Sequence, residues 1–440
     1  MSSYVPSTMK QRLEMLEAVG VSSFEELYAD VPESMRLKEG ALDLPDGMSE
    51  MEVKASMEMM AAKNKVFPCI FRGAGAYNHY IPSIVKRVTA KEEFVTAYTP
   101  YQAEISQGIL QSIFEYQTMI CELTGMDAAN ASVYDGPSAS AEAAAMCRDR
   151  KREKVVISGA CHPEVIKVMR TYCYGAGAEC VVIPAADGRT DVDALKAALD
   201  DKTACVCVQQ PSFFGIVEDC AAIADLVHAA GAKFIMNVNP IAAAVLKTPA
   251  ECGADIAVGE GQPLGIPMAF GGPYLGFMAC TEKMQRKLPG RIVGETRDAE
   301  GRRCFVLTLQ AREQHIRREK ASSNICSNEA LCALTAGVYM AVMGPEGMRE
   351  VAEQCFAKAH YMAANIINIQ GFHLAYPGVF FNEFVTACPV DTGELLSILE
   401  EKGILGGLAV AEGILWCATE MNSREQIDTL VSVLKEVAGK

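Results

Sequence analysis

The sequence has no run of about 18 apolar residues that could span a bilayer, and its first ten residues, MSSYVPSTMK, lack the apolar centre of a signal peptide. Positive charge is also scarce, because 40 Lys and Arg stand against 55 Asp and Glu, a formal net charge of −15. Negative charge disfavours nucleic acids and anionic membranes, since phosphate groups would be repelled. We therefore expect neither a nucleic-acid partner nor a membrane.

Metal-binding spacings are missing as well. The 6 histidines form no H-E-x-x-H motif, and the 17 cysteines include no C-x-x-C. Most cysteines lie in apolar runs such as TACVCVQQ at 203–210, where cysteine acts as a small core residue. An odd number of thiols without metal spacing favours a reducing compartment. We expect no metal site and a cytoplasmic location.

Hydrophobic periodicity divides the chain into three parts. Residues 1–66 read as a helical segment with a Met-rich stripe, which would pack on another domain or subunit. Over 67–340 short apolar strands alternate with helices, which is typical of a mostly parallel sheet in a large α/β domain. Residues 341–440 read as a small α+β domain. The predicted strands are 154–158, 179–183, 203–208, 233–238, 255–258, 274–279, 382–388 and 414–418, and the predicted helices include 163–172, 192–199, 220–230, 241–246, 346–369, 391–402 and 423–438.

Three glycine-rich segments are candidates for holding a phosphate. GAGAYN at 73–78 begins like a dinucleotide fingerprint but lacks the third glycine. YDGPSAS at 134–140 leads into a strong helix former, so Gly136 and Ser138 could present N–H groups and a hydroxyl to an anion, although an ordinary Ser N-cap is the alternative. The segment 259–276 follows a predicted strand, where α/β proteins place ligand loops. The chain thus combines a helix start suited to an anion, several βα units, a glycine-rich loop and a small C-terminal domain. This order of elements resembles that of pyridoxal-phosphate enzymes of the aspartate-aminotransferase fold, fold type I.

Several long motifs resemble the P-protein family of the glycine cleavage system. They are FRGAGAYNHYIP at 71–82, TAYTPYQAEISQG at 96–108, FEYQT at 114–118, ELTGM at 122–126, the segment 259–276, QAREQHIRREKASSNIC at 310–326 and TEMN at 419–422. The resemblance covers nearly the whole chain. It implies the reaction of glycine dehydrogenase (decarboxylating), in which pyridoxal phosphate is the electron sink while glycine loses CO2 and its aminomethyl group passes to the lipoyl arm of H-protein.

In some bacteria the family's enzyme is split into two homologous halves, and the length and motifs of this chain are similar to the first half, subunit 1 or alpha. The resemblance therefore implies subunit 2 (beta) as a partner, in an α2β2 heterotetramer, and lipoylated H-protein as a second partner.

The resemblance breaks at the lysine that a pyridoxal enzyme needs for its Schiff base. In the catalytic half of the family this lysine lies five residues before a proline that opens a H-G-G-G-G-P loop. The matching proline here is Pro267, and counting back five residues reaches Gln262. No lysine lies between Lys247 and Lys283. Glutamine cannot form a Schiff base.

The aspartate that would hold the pyridine nitrogen is also replaced, because the strand end reads NVNP at 237–240 and ends in the neutral Asn239. Two such losses suggest that pyridoxal phosphate binds the partner subunit rather than this chain. Catalytic residues of the chain's own are not expected. Gly136, Ser138, His162, Asn239 and Gln262 are then vestigial cofactor-pocket positions, and His162 is expected to be structural.

In this fold the active sites lie at the dimer interface, where loops of one protomer reach the other's cofactor. The segment YTPYQAE supplies the candidates Tyr98, Thr99, Tyr101, Gln102 and Glu104 for such a contribution, and a turn with buried aromatics is the alternative.

The one concentrated basic stretch, 310–320, contains Arg312, Arg317, Arg318 and Lys320. Arg317 and Arg318 are candidates for contacting a substrate carboxylate or an acidic carrier, because a guanidinium binds carboxylates in two-point fashion. A solvated surface is the alternative.

Two other functions stay open at this point. The chain could be an independent pyridoxal-phosphate enzyme that uses another lysine, such as Lys247 or Lys320. It could also be a scaffolding or regulatory pseudoenzyme that contributes no group to an active site.

Overall fold

The computed structural model describes residues 6–38, 42–98, 100–321 and 323–439. The chain divides into two compact units between Val66 and Phe67. The first unit contains the helices α1 (Met9–Val19) and α2 (Glu50–Ala61). Each begins with a capping box, in which Thr8 or Ser49 binds the backbone of the third helical residue. Leu16 is the one buried apolar side chain among the described residues of this unit, so packing of its methionines on another surface stays a prediction.

The second unit contains the remaining helices and all the described strands. Its helices are α3 (Ser83–Thr89), α4 (Glu92–Val95), α5 (Gln107–Thr124), α6 (Gly136–Cys147), α7 (Pro163–Gly175), α8 (Val192–Ala198), α9 (Cys220–Ala229), α10 (Gln314–Arg317), α11 (Ala330–Ile366), α12 (Thr392–Glu401) and α13 (Arg424–Ala438). Its strands are β1 (Cys69–Ile70), β2 (Ala128–Ala129), β3 (Lys154–Ser158), β4 (Cys180–Ile183), β5 (Ala185–Ala186), β6 (Arg189–Thr190), β7 (Thr203–Gln210), β8 (Lys233–Val238), β9 (Ile256–Glu260), β10 (Gly276–Cys280), β11 (Val293–Arg297), β12 (Arg303–Leu307), β13 (His373–Leu374), β14 (Glu383–Ala387), β15 (Ile404–Leu405), β16 (Leu408–Val410) and β17 (Gly413–Cys417).

A seven-stranded sheet forms the centre of this unit, with the strand order β2-β10-β9-β8-β7-β3-β4. The five strands β4, β3, β7, β8 and β9 pair in parallel, and β10 and β2 are antiparallel at one edge. Helices cover both faces, so β3 is buried along its whole length and its sequence is a continuous apolar run rather than an alternating one. The predicted α/β fold with a large, mostly parallel sheet is confirmed.

A four-stranded antiparallel sheet, in the order β13-β14-β17-β16, packs with α12, α13 and the second half of α11. Trp416 lies at the centre of this core, fully buried, and its indole N–H donates to the Thr386 hydroxyl at 2.8 Å. The hydrogen bond satisfies the one polar group of the side chain, so the ring can be buried at low cost.

Two elements differ from the sequence prediction. The helix expected over 241–246 is a single 3-10 turn, Ala242–Ala244, because the Asn239 side chain caps its start and Val245 leaves helical geometry. Helix α11 begins before the expected start and is interrupted at Gly344, whose φ of 61° precedes Pro345. It runs through the predicted boundary at 340/341, and the domain limits stay a prediction. None of the described helices, α11 included, combines the length and apolar character needed to cross a membrane.

Candidate functional site

A cavity of about 290 Å³ opens at the carboxyl ends of β7, β8 and β9, where parallel sheets place ligand sites. We call it the strand-end cavity. It is lined by Ala74, Gly75, Ala76, Tyr77, Asp135, Gly136, Pro137, His162, Glu164, Val165, Gln209, Asn237, Val238, Asn239, Pro240, Glu260, Pro263 and Tyr274. Three of the five vestigial positions of the sequence prediction, Gly136, His162 and Asn239, therefore meet here, whereas Ser138 and Gln262 are not part of the lining.

Gln262 lies behind the cavity wall and is almost fully buried. Its side-chain oxygen accepts a hydrogen bond from the Tyr77 N–H at 2.8 Å, and its amide N–H groups donate to the Tyr77 carbonyl at 2.9 Å and the Ile266 carbonyl at 2.7 Å. The amide thus makes three hydrogen bonds to main chain. The residue at the expected lysine position is a structural link between two loops.

The glycine-rich loop 73–77 is held from the opposite side by Glu383, the first residue of β14. The Glu383 carboxylate accepts hydrogen bonds from the Ala74 N–H at 2.6 Å and from the Tyr77 hydroxyl at 2.7 Å. Burial raises the pKa of Glu383 to about 7, although both hydrogen bonds oppose the rise. Glu383 and Gln262 together hold this loop between the two sheets.

The start of α6 contacts a second acid, the half-buried Glu260, which is the last residue of β9. The Gly136 N–H donates to Glu260 Oε2 at 3.0 Å, and the N–H groups of Leu275 and Gln262 donate to Oε1 at 2.9 and 3.0 Å. Burial raises the pKa of Glu260 to about 7 despite these bonds. The helix N-cap is Asp135, which accepts from the Ser138 N–H at 2.7 Å, so the alternative of a serine N-cap is wrong and an aspartate caps the helix.

Two asparagines end β8. Asn237 is buried, lines the cavity and donates to the Ser140 hydroxyl at 3.1 Å. The side-chain oxygen of Asn239 is engaged by the N–H groups of Ile241 and Ala242, at 2.9 and 3.3 Å. Neither carries the negative charge that would keep a pyridine nitrogen protonated.

Both ring nitrogens of His162 form hydrogen bonds with the backbone of the chain. Nδ1 accepts from the Glu164 N–H at 3.1 Å, which caps α7, and Nε2 lies 2.9 Å from the Ala74 carbonyl, to which it donates. Burial lowers the pKa of His162, so the neutral ring is favoured. Gly75 is required beside it, because its φ is 102° and a Cβ there would lie 2.8 Å from Nε2. His162 is structural in these contacts.

Pyridoxal phosphate, which the fold family implies, does not fit these residues. A bound cofactor needs a lysine, an acid for its ring nitrogen and free N–H groups for its phosphate. The described residues of the strand-end cavity include no lysine and no arginine, and Glu260 already occupies the Gly136 N–H. The alternatives Lys247 and Lys320 are exposed and line neither this cavity nor the one described next.

A larger cavity of about 500 Å³ lies beside the segment 94–101, and we call it the tyrosine cavity. Its lining consists of Phe94, Val95, Ala97, Tyr98, Pro100, Tyr101, Ile109, Ser112, Ile113, Tyr116, Arg291, Cys326, Ser327, Asn328, Glu329, Ala330, Leu331, Ala333 and Leu334. The Arg291 guanidinium lies over the Tyr101 ring, 4.7 Å from its centroid, and also pairs with the buried Glu313. The buried hydroxyl of Tyr116 has no hydrogen-bond partner among the described residues.

The predicted interface residues separate in the structure. Tyr98, 91% exposed, and Tyr101 line the tyrosine cavity, whereas Gln102 and Glu104 are exposed outside it. Thr99 lies outside the described residues.

Arg317 and Arg318 are exposed at the end of α10 and line neither cavity. Arg312 of the same basic stretch is half-buried, and it donates to the Gly290 carbonyl at 2.7 Å. Burial and the nearby Arg291 lower the pKa of Arg312 to about 10. The basic stretch is therefore split between an inward-facing arginine and two solvent-facing ones.

One group of metal-ligand types, His79, Cys355 and Glu420, comes together within 4.8 Å. Direct hydrogen bonds account for it, because Glu420 Oε2 lies 2.7 Å from His79 Nδ1 and 3.4 Å from the Cys355 thiol.

Sequence reasoning missed Glu260, Glu383, Arg291 and Tyr116. Glu260 carried the clearest signal, since a charged residue between two glycines follows a predicted strand. Arg291 carried no signal in the local sequence, because its partner Tyr101 is 190 positions earlier in the chain.

The chain is 49% identical to the probable glycine dehydrogenase (decarboxylating) subunit 1 of Desulfitobacterium hafniense, over 99% of this chain and 100% of the relative. A crystal structure of glycine decarboxylase (P-protein) of the glycine cleavage system, in inhibitor-bound form, matches with a TM-score of 0.94 and 43% identity over 99% of this chain and 100% of that one.

A sphingosine-1-phosphate lyase of Burkholderia pseudomallei matches with a TM-score of 0.66 and 14% identity, covering 94% of each chain, which supports the fold alone. The family model described as glycine cleavage system P-protein matches residues 2–434. The predicted pyridoxal-phosphate transferase fold is confirmed, and the chain belongs to the glycine cleavage system P-protein family.

Proposed function

We propose that this chain is the non-cofactor-binding subunit of a two-chain glycine dehydrogenase (decarboxylating). With its partner, subunit 2, it decarboxylates glycine and transfers the aminomethyl group to the lipoyl arm of H-protein. Pyridoxal phosphate, bound on the partner, supplies the electron sink for the loss of CO2. The names of the 49%-identical relative and of the 43%-identical structure support the reaction.

The observation that carries the assignment of the cofactor to the partner is Gln262. A glutamine cannot bond covalently to an aldehyde as a lysine does, and here its amide is committed to Tyr77 and Ile266. Conversion of the pocket back to a cofactor site would need more than one substitution, because the surrounding polar groups are also engaged.

The tyrosine cavity is the surface through which we propose that this chain completes the partner's active site. It combines the exposed Tyr98 with Tyr101, the Arg291 guanidinium and the unpartnered Tyr116 hydroxyl. A buried hydroxyl without a partner is costly unless another molecule supplies one.

Arg317 and Arg318 belong to the proposal as contacts for an acidic carrier such as H-protein, since both are exposed cations on a chain of net charge −15. We place the complex in the cytoplasm as an α2β2 heterotetramer. All seventeen cysteines lie in the described part of the chain and each is a free thiol, which suits a reducing compartment.

The test is a glycine–CO2 exchange assay on the two subunits with H-protein, with each subunit omitted in turn. We expect exchange from the pair and none from either subunit alone. Full activity of the partner alone would instead make this chain a scaffold, and activity of this chain alone would make it an independent enzyme.

The contribution of the tyrosine cavity is tested by the double variant Tyr98→Phe/Tyr101→Phe in the same assay. Exchange should fall about tenfold or more, because hydroxyls placed at a reacting centre contribute at least that much. Tyr174→Phe is the matched control, since Tyr174 is equally exposed, at 89%, but lies outside both cavities. Unchanged exchange in the double variant would refute this part of the proposal.

A further inference from the structure

We propose that the Glu260 carboxylate stands in for a ligand phosphate at the start of α6 and thereby determines that the strand-end cavity rejects phosphorylated ligands. The inference rests on the proposed function, in which this cavity holds no cofactor. It goes further by naming the side chain that excludes the phosphate.

Three backbone N–H groups converge on this one carboxylate. Gly136 at the start of α6, Leu275 before β10 and Gln262 after β9 donate to it at 3.0, 2.9 and 3.0 Å. Convergent backbone N–H groups are a usual means by which proteins bind a phosphate oxygen, and one of the three here lies at the start of a helix. Here the anion they bind belongs to the protein.

The start of α6 has no N–H group left for a second anion. The Gly136 N–H is taken by Glu260, Pro137 has none, and the Ser138 N–H is taken by the Asp135 side chain at 2.7 Å. The next one, of Ala139, donates to the Asp135 carbonyl at 2.9 Å. Every N–H group of the first helical turn is accounted for within the chain.

The start of α6 lies directly against the end of β9, so the Glu260 side chain fills the space beside the Gly136 N–H. A Cβ added to Gly136 would lie 2.9 Å from the Glu260 nitrogen and 3.0 Å from its Cβ. The helix start therefore contacts the strand end directly, and glycine is required there by this close approach.

The charges around the cavity act in the same direction. Its lining includes the acids Asp135, Glu164 and Glu260 and, among the described residues, no lysine or arginine. Glu164 is paired with Lys167 at 2.7 Å on the solvent side, whereas Asp135 and Glu260 both accept hydrogen bonds from N–H groups at the start of α6. A phosphate dianion would face carboxylates without a compensating cation.

The experiment measures anion binding by the full-length isolated chain at pH 8, by titration calorimetry with inorganic phosphate and with pyridoxamine 5′-phosphate. The wild type should show no saturable binding of either probe. Glu260→Ala, which frees three N–H groups and the space of the carboxylate, should gain saturable binding at least about tenfold above the wild-type limit. Glu260→Gln, which keeps the side-chain volume and removes the charge, should show a smaller gain and serves where the alanine variant does not fold.

Glu164→Ala is the matched control, because it removes another acid of the same cavity that does not contact α6 through its carboxylate. It should bind no more phosphate than the wild type, and an equal gain in this variant would overturn the assignment to Glu260. Binding of pyridoxamine 5′-phosphate by the wild type would overturn both this inference and the proposed function. No gain in either folded Glu260 variant would overturn this inference alone.

Discussion

The two cavities differ in the hydrogen bonding of their polar groups. In the strand-end cavity the carboxylate of Glu260 and the ring of His162 are engaged by the chain's own backbone, as is the amide of Gln262 behind its wall. In the tyrosine cavity the buried Tyr116 hydroxyl has no partner among the described residues, and Tyr98 is 91% exposed. The first arrangement is that of a closed structural core, and the second is that of the surface through which we propose that this chain completes the partner's active site.

The largest expected difference between the cavities is a dependence of stability on pH. The folded pKa of Glu260, which lines the strand-end cavity, and of Glu383, which binds the lining residues Ala74 and Tyr77, is about 7, above the value of 4.5 expected in the unfolded chain. The folded state therefore binds these protons more tightly, and their stabilising effect is complete below pH 4.5 and lost as pH rises to about 7. Each shift corresponds to about 3 kcal/mol of unfolding free energy.

Urea denaturation of the wild type at several pH values between 5 and 8 measures this slope. Glu260→Gln and Glu383→Gln should each flatten it. Glu329→Gln, in the tyrosine cavity, should change it less, since Glu329 is less buried than Glu383 and burial raises its pKa less than that of Glu260 or Glu383. Equal slopes of the unfolding free energy against pH in the wild type and all three variants would contradict the predicted difference between the two cavities.

A second prediction concerns the structural role of the glutamine at the expected lysine position. Gln262→Ala should lower the free energy of unfolding by about 2–3 kcal/mol, because it leaves the Tyr77 N–H and two buried carbonyls without partners. Gln102→Ala is the control, since that side chain is exposed, and it should stay within about 0.5 kcal/mol of the wild type. Equal effects of both substitutions would show that the hydrogen bonds of Gln262 do not stabilise the fold.

The smallest expected effect is on the free energy of unfolding when either of two buried tyrosines loses its hydroxyl. Tyr116→Phe should raise the free energy of unfolding by up to about 1 kcal/mol, because the hydroxyl it removes has no partner within the described chain. The same variant should lower glycine–CO2 exchange in the two-subunit assay. Tyr339→Phe is the control, since the Tyr339 hydroxyl also has no partner among the residues that the structure describes, and Tyr339 lines neither cavity. It should stabilise the chain without a loss of exchange, and parallel behaviour of the two variants would argue against the tyrosine cavity.

The central sheet was predictable from the sequence because its strands are buried on both faces. Continuous apolar runs such as 154–158 and 233–238 match β3 and β8 in position. The limits of α11 were less predictable, since Gly344 and Pro345 break a helix that packing then continues on both sides. The turn at 242–244 was read as a helix because its alanines favour one, while the Asn239 cap and Val245 limit it.

The candidate site was predictable only where the signal was local. Gln262 was found by its spacing to Pro267 within one loop. Glu260 stands two positions earlier, but its role depends on Gly136, which is 124 positions away, and no local pattern encodes that contact. The same holds for Arg291 and Tyr101, whose stacking is a product of the fold.

The most direct test of the account locates the cofactor in the assembled complex. The two subunits are reconstituted with pyridoxal phosphate, reduced with borohydride and separated, and the mass of each intact chain is measured. The account predicts a pyridoxyl adduct on the partner subunit and none on this chain. A stoichiometric adduct on any lysine of this chain would contradict it.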